Sequence, residues 1–189
     1  MHGRIKALLP SMKLAGPAFT VDVRPGDNLM IHAALALAQH GDILVIDGKA
    51  DHTAALMGAI MMNAAKALQL GGVVIDGSIR DVEELSELGL PVFSIGSTPN
   101  GPSKNIAGRI GHAISCGGVT VCSGDFITAD ADGVVVVEQG LLASLIEKAS
   151  HKVSAEANRI EQIKKGNIAA PWLTDSLIAA GVLKQGQTL

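Results

Sequence analysis

Residues 72–84 read Gly-Val-Val-Ile-Asp-Gly-Ser-Ile-Arg-Asp-Val-Glu-Glu, an apolar run that ends in the most polar patch of the first half of the chain. Ile43 to Ile46 is a second such run. Both close on the tetrapeptide Val-Ile-Asp-Gly, at 45–48 and again at 74–77. An apolar run without polar alternation is a strand buried on both faces, as in a parallel sheet covered by helices. The stretches between these runs have helical length and composition. Phe19 to Val23 reads as a strand ended by Pro25-Gly26, Asp27 as the N-cap of a helix from Asn28 to His40, and Gly41 as its stop. A second helix runs through Ala64 to Leu70, a short one spans Val82 to Leu88, and a strand covers Val92 to Ile95. The first half is therefore a series of βαβ units.

The second half reads differently. Ser97 to Gly111 is rich in Gly, Pro, Asn and Ser and predicts a long loop. Three short β-rich runs follow, Ala113 to Ser115, Val119 to Cys122 and Val134 to Val137, with Asp132-Gly133 as a hairpin-type turn before the last. The sheet should thus be partly parallel and partly antiparallel. A long helix from about Leu141 to Lys165 carries an apolar stripe of Leu142, Leu145, Ile146, Ala149, Val153, Ala157, Ile160 and Ile163. A short tail helix near Asp175 to Ala180 completes an α/β chain read as one domain over residues 1–189, with no linker.

Composition narrows the function. Charged residues make up 17% of the 189 residues, against a usual share of about 25%. That excludes disorder and leaves little charged surface for a solitary monomer, so burial between subunits is expected. The net charge is −3 and no basic run occurs, which argues against nucleic acid as a partner. No apolar run approaches the roughly 18 residues of a membrane span, and the start lacks the features of a signal peptide. Cys116 and Cys122 lack partners at zinc spacing and read as buried, reduced thiols of a cytoplasmic protein.

Two segments could carry chemistry. Arg80 and Asp81 follow a buried strand at its carboxyl end, where open α/β sheets place their ligands. Asp81 and Glu84 are three apart and face one side of the next helix, an oxygen-only set suited to Mg²⁺ or Mn²⁺. The competing reading is a helix N-terminus that favours acidic residues, with Arg80 in a surface ion pair. In the second segment, Gly58 marks a helix start, since glycine inside a helix costs about 1 kcal/mol relative to alanine. The free amides of Ala59, Ile60 and Met61 would then accept a carboxylate. A tolerated glycine within a packed helix is the alternative.

The stretches GDILVIDGK (41–49), GGVVIDGSIRDVEEL (71–85), LPVFSIG (90–96) and GGVTVCSGDFITADADGVVVV (117–137), with the Gly58 turn, resemble one family. It contains the regulator of ribonuclease E activity A (RraA) and the divalent-metal aldolases that cleave 4-hydroxy-4-methyl-2-oxoglutarate to pyruvate. The resemblance covers about residues 14–165, leaving a helical tail over 166–189. It implies a swivelling β/β/α-type α/β domain assembled as a homotrimer, or a hexamer of two trimers, with active sites between subunits. By this resemblance Arg80 binds the 2-oxo acid and stabilises the enolate, and Asp81 holds Mg²⁺ or Mn²⁺. Gly58, Ala59, Ile60 and Met61 form the substrate-binding turn, with the Ile60 and Met61 amides on the substrate carboxylate. Glu84 matches the last acidic position of the signature, and Glu156 is a metal-site glutamate supplied by the neighbouring subunit. Nothing resembles a nucleotide-cofactor site, although some members are described as methyltransferases.

Three departures stand out. The aldolases have an Asp where this chain has Ala59, the family Pro-Gly-Asp is here Ser123-Gly124-Asp125, and relatives usually carry residues ahead of the position of Met1. His32 and His112 read as packing or surface residues, while His52, near the Gly58 turn, is a candidate for proton transfer. Asp130-Ala-Asp132-Gly133 lacks the remaining ligands of a calcium loop and reads as a turn. The resemblance implies a metal-dependent lyase acting on a small 2-oxo acid, by retro-aldol cleavage or by decarboxylation of oxaloacetate. Its alternative is a non-catalytic regulator that binds a ribonuclease or another protein.

Overall fold

The two Val-Ile-Asp-Gly segments lie side by side. In the computed structural model, which describes residues 1–187, strand β3 (Ile43–Met57) pairs in parallel with β4 (Gly72–Ile79). The register sets Ile43 against Gly72 and Ile46 against Ile75, so equivalent residues of the repeat are neighbours. Alternate side chains enter opposite cores. Leu44, Ile46, Val73 and Ile75 face one cluster, while Ile43, Val45 and Val74 face the other. Both faces are buried, as the unbroken apolar runs require. Each such side chain contributes roughly 1.5–3 kcal/mol by leaving water.

The rest of the sheet is laid on this pair. In order it runs β1 (Lys6–Ala7), β5 (Val92–Ser94), β4, β3, β2 (Leu14–Asp22), β10 (Phe126–Ala129) and β11 (Val134–Val137). The inner strands β2 to β5 are parallel, and β1, β10 and β11 add antiparallel edges. Two-residue strands β6 (Gly96–Ser97) and β7 (Arg109–Ile110) pair with β4 and β2, and β8 (Ile114–Cys116) forms a separate hairpin with β9 (Val119–Val121). Helices α1 (Leu29–Leu35), α2 (Ala59–Ala67) and α3 (Val82–Leu88) supply Ile31, Met62 and Leu85 to the first core. The mixed α/β sheet and the long C-terminal helix expected from the sequence are both present.

By their contacts the residues group into two units, Met1–Leu142 and the segment starting at Ala143. The second unit holds nearly all of α4 (Leu142–Lys164) and the short α5 (Leu173–Ala179), neither of which has a buried residue. Within it the Arg159 guanidinium donates to the carbonyls of Asn167, Ile168 and Ala169, fixing the turn after α4.

Four local expectations change. Helix α1 ends at Leu35 and not at His40, because beyond it the chain tightens into turns at Ala36 and Leu37, and Leu37 is exposed with nothing to pack on. Strand β3 does not stop at Asp47-Gly48. Lys49 and Ala50 take positive φ (61° and 57°), bulging the strand, and pairing with β4 resumes at Asp51. Strand β10 occupies a segment with no strand expected. Cys122 is exposed in the turn after β9, its N–H donating to Asp125, while Cys116 is buried. Burial, then the nearby Asp76 and Asp47 charges, push the Cys116 thiol up to about 12.

Candidate functional site

The carboxyl ends of β3 and β4 converge, and the site is built where they do. Met57 pairs with Ile79, and the Arg80 N–H donates to the Met57 carbonyl at 3.1 Å. The next residue on one side is Gly58, the N-cap of α2, and on the other Arg80-Asp81, leading into α3. The approach needs a glycine. A Cβ at Gly58 would lie 2.4 Å from Asp81 Oδ2, 2.8 Å from Arg80 Cγ and 2.9 Å from Arg80 Nε. The expected helix start at Gly58 is therefore observed, and its reason is proximity to Arg80 and Asp81.

Asp81 has a left-handed backbone (φ 61°, ψ 43°) and makes no side-chain cap on its own helix. Its Oδ2 instead accepts the Ala59 N–H at 2.8 Å and lies 3.6 Å from Arg80 Nε. Helix geometry leaves the first amides of α2 without intrahelical acceptors. Met62 N–H makes the first ladder bond, to the Gly58 carbonyl. With Ala59 committed to Asp81, Ile60 and Met61 carry the two remaining helix-start amides.

Arg80 lines two adjoining hollows. The inner one, about 180 Å³, is also lined by Gly58, Ile60 and Met61 of α2. It is lined as well by Asn28 and His32 of the α1 segment, and by Gly101 and Lys104 from the loop after β6. The outer, shallower one, about 360 Å³, carries Asp81 with Ser97, Thr98 and Pro99. Gly101 lets the loop close on the arginine, since a Cβ there would sit 3.2 Å from Arg80 Nη1.

Asn28 is 3% exposed, and its amide donates to the Leu56 carbonyl (2.9 Å) and the Met61 sulfur (3.2 Å). Its Oδ1 is buried without a partner among the described residues. The N-cap of α1 is Asn28 and not the expected Asp27. Asp27 accepts the Leu29 N–H from one residue earlier, but mostly it ties down the neighbouring loop. The carboxylate accepts Ser103 Oγ (2.6 Å), Asn105 N–H (2.7 Å) and Ile106 N–H (3.2 Å). Burial alone would raise its pKa. The hydrogen bonds from Asn105, Ser103, Leu29 and Ile106 outweigh it and hold the group below the usual carboxylate range.

Gly58, Ala59, Ile60, Met61, Arg80 and Asp81 thus come together. Glu84 is exposed one turn into α3 and lines neither hollow. Glu156 lies on α4 in the second unit, 3.6 Å from Lys152. His52 lines neither hollow, and the Asp51 carboxylate is taken up by Thr53. Asn28 and Lys104 were not read in the sequence as site residues, and His32, read there as a packing or surface residue, lines the inner hollow. Lys104 had a signal, being the one charged residue between Ser97 and Gly108. Asp130 to Gly133 form the tight β10–β11 turn that was expected.

Among the described residues no three His, Cys, Asp or Glu side chains gather as a metal cluster. A cation here would have Asp81 as its carboxylate and otherwise water and substrate oxygens. That suits Mg²⁺, which binds through one or two carboxylates and keeps several waters, and is unlike a structural zinc site.

The chain is 40% identical over 174 residues to a Halalkalibacterium halodurans protein named "Putative 4-hydroxy-4-methyl-2-oxoglutarate aldolase", covering 92% of this chain and 83% of that one. The fold matches a Geobacillus kaustophilus structure titled S-adenosylmethionine: 2-dimethylmenaquinone methyltransferase with TM-score 0.69 and 35% identity, over 74% of this chain and 86% of that one. It matches the Thermus thermophilis RNA-processing inhibitor RraA with TM-score 0.68 and 28% identity, over 72% and 83% of the two chains. A model of the RraA-like family, described as Aldolase/RraA, matches residues 1–136, and the chain belongs to that family.

Proposed function

We propose that the protein is a divalent-metal-dependent lyase that releases pyruvate from small 2-oxo acids, and that it works as a homotrimer or hexamer in the cytoplasm. One observation carries the reading. Arg80 and Lys104 line a hollow of about 180 Å³ beside the free helix-start amides of Ile60 and Met61. Two cations and two amides in so small a space suit a dianion such as oxaloacetate or a 4-hydroxy-2-oxo diacid.

Asp81 would hold the cation, which when bound supplies an electron sink at the 2-oxo and carboxylate oxygens. The Ile60 and Met61 amides anchor the carboxylate next to C2. Arg80 donates to the 2-oxo oxygen as charge develops there, the kind of contact that is worth most when water is excluded. When the bond between C3 and C4 breaks, its electron pair moves into the C2–C3 enolate. A proton delivered to C3 then gives pyruvate. In decarboxylation the departing group is CO₂. In retro-aldol cleavage the C4 hydroxyl must also lose its proton, and Ala59 offers no group to take it. General-base help is worth about 10²–10⁴ in rate, so oxaloacetate decarboxylation should exceed cleavage of 4-hydroxy-2-oxo acids.

Pyruvate release from a panel of both substrate types, with and without Mg²⁺ or Mn²⁺, tests this. Ala59→Asp should raise the aldolase-to-decarboxylase ratio. A natural protein that is already an efficient aldolase, with no gain from the new carboxylate, would overturn the argument from Ala59. The resemblance to an RNA-processing inhibitor favours a second reading, a regulator that binds a protein partner. No turnover of any substrate would move the assignment there.

A further inference from the structure

The hydrogen bond from the Ala59 N–H to Asp81 Oδ2 belongs to neither helix's own construction. Asp81 stands at the N-cap position of α3, where an aspartate commonly accepts an amide of its own first turn. Here it caps nothing on α3 and reaches the first amide of α2, 2.8 Å away. Two features serve that reach. The backbone of Asp81 is left-handed, a conformation Asp tolerates better than most residues. Gly58 lacks the Cβ that would lie 2.4 Å from the accepting oxygen. Arg80 Nε faces the same oxygen at 3.6 Å. Oδ2 thus holds one hydrogen bond and one ion-pair contact, while Oδ1 has no hydrogen bond among the described residues.

We infer that the Ala59 amide is a positioning group for the Asp81 carboxylate, holding Oδ2 so that Oδ1 is the oxygen offered to a divalent cation. The inference rests on the reading of Asp81 as the cation's carboxylate. It divides the start of α2 between two tasks. The first amide orients the protein's own carboxylate, and the amides of Ile60 and Met61 are left for the substrate's.

Ala59→Pro removes the amide. Proline is well tolerated at the first position of a helix, where no ladder bond is lost. The extended backbone of Gly58 (φ −141°, ψ −167°) keeps it out of the helical region that a following proline disfavours. The substitution deletes the N–H and puts a ring carbon in its place. Calorimetric titration of the metal-free protein with Mn²⁺ should show affinity weakened about tenfold or more relative to Ala59→Gly, which keeps the amide. Circular dichroism and melting temperature should match between the two variants. Equal Mn²⁺ affinity in the proline and glycine variants, with binding abolished in Asp81→Ala, would overturn the positioning role and leave the ligand reading intact. Undiminished binding by Asp81→Ala would overturn the ligand reading itself. Because the ring carbon also crowds Asp81 Oδ2, hydrogen exchange of the Ala59 amide in the chain with its natural Ala59 reads the same contact without that strain. Exchange should quicken in Asp81→Ala, and an unchanged rate would overturn the proposal.

Discussion

At the scale of single residues, Arg80 is the side chain on which most depends. It follows the last residue of β4, is half-buried, and lines both hollows, yet it contributes to neither hydrophobic core. Arg80→Ala should therefore leave the fold intact, with a melting temperature within a few degrees of the natural protein. Turnover should fall by about 10²–10³, the usual cost of one charge-stabilising donor. A variant that keeps most of its metal-dependent turnover would remove Arg80 from the mechanism. Arg80, Asp81 and Gly58 were legible in the sequence because each breaks a local pattern. The charged pair interrupts an apolar run, and the glycine interrupts a helical one. Asn28 and His32 break no pattern. They fit an ordinary amphipathic helix start, and only the tertiary fold turns them toward Arg80.

At the scale of elements, strands with unbroken apolar runs were legible, since burial on both faces leaves a composition that no surface segment shares. Strand β11 and helix α3 lie where periodicity put them. What escaped was set by distant partners. The sequence marks Asp47-Gly48 as a turn, and the bulge at Lys49 and Ala50 uses that chemistry without ending β3. The Lys49 amine, salt-bridged to Asp22 and Asp47, holds the bulge in place. Ser123 bonds Thr20 through its hydroxyl, tying the turn after β9 to β2. The loop after β6 is the largest such case. Its path past Arg80 depends on Asp27, whose carboxylate gathers Ser103, Asn105 and Ile106. Asp27→Asn turns an amide donor toward those donors and should cost about 2–3 kcal/mol, as for bonds to a buried charge. It should also raise KM, because Gly101 and Lys104 ride on the same loop. The pH dependence has a definite sign. A carboxyl held low in the folded state stabilises fully above its unfolded value of about 3.9, and that contribution is lost as pH falls through the folded value. Urea midpoints of the natural protein and of the Asp27→Asn variant should therefore differ at pH 7, and the gap should narrow progressively as pH falls below about 4. A gap that does not narrow at all in acid would show that Asp27 acts through something other than its charge.

At the scale of the whole molecule, every residue of the two cores falls within Met1–Leu142. Helix α4 is 23 residues long and buries none of them within the chain, leaving Ile146 at 58%, Val153 at 65% and Ile160 at 53% exposure. A helix with a continuous apolar stripe in water loses most of what would stabilise it, because helices in proteins are held chiefly by packing of that stripe. The 17% charge content points the same way, toward a surface covered by other copies. Sedimentation of the full chain should give the mass of a trimer or hexamer. Serine at Ile146, Val153 and Ile160 together should lower that mass while leaving thermal unfolding of the core nearly unchanged, since none of the three belongs to either core. A chain ended after Leu142 should also fold, with a melting temperature close to that of the serine variant. A monomeric full-length chain would remove both the oligomer and the neighbouring-subunit role expected of Glu156, which sits on the same helix. An unaltered oligomer in the serine variant would place the subunit contacts on Met1–Leu142 instead. Turnover then decides whether α4 completes the site. If the serine variant dissociates but keeps its rate, Arg80, Asp81 and the α2 amides suffice within one copy.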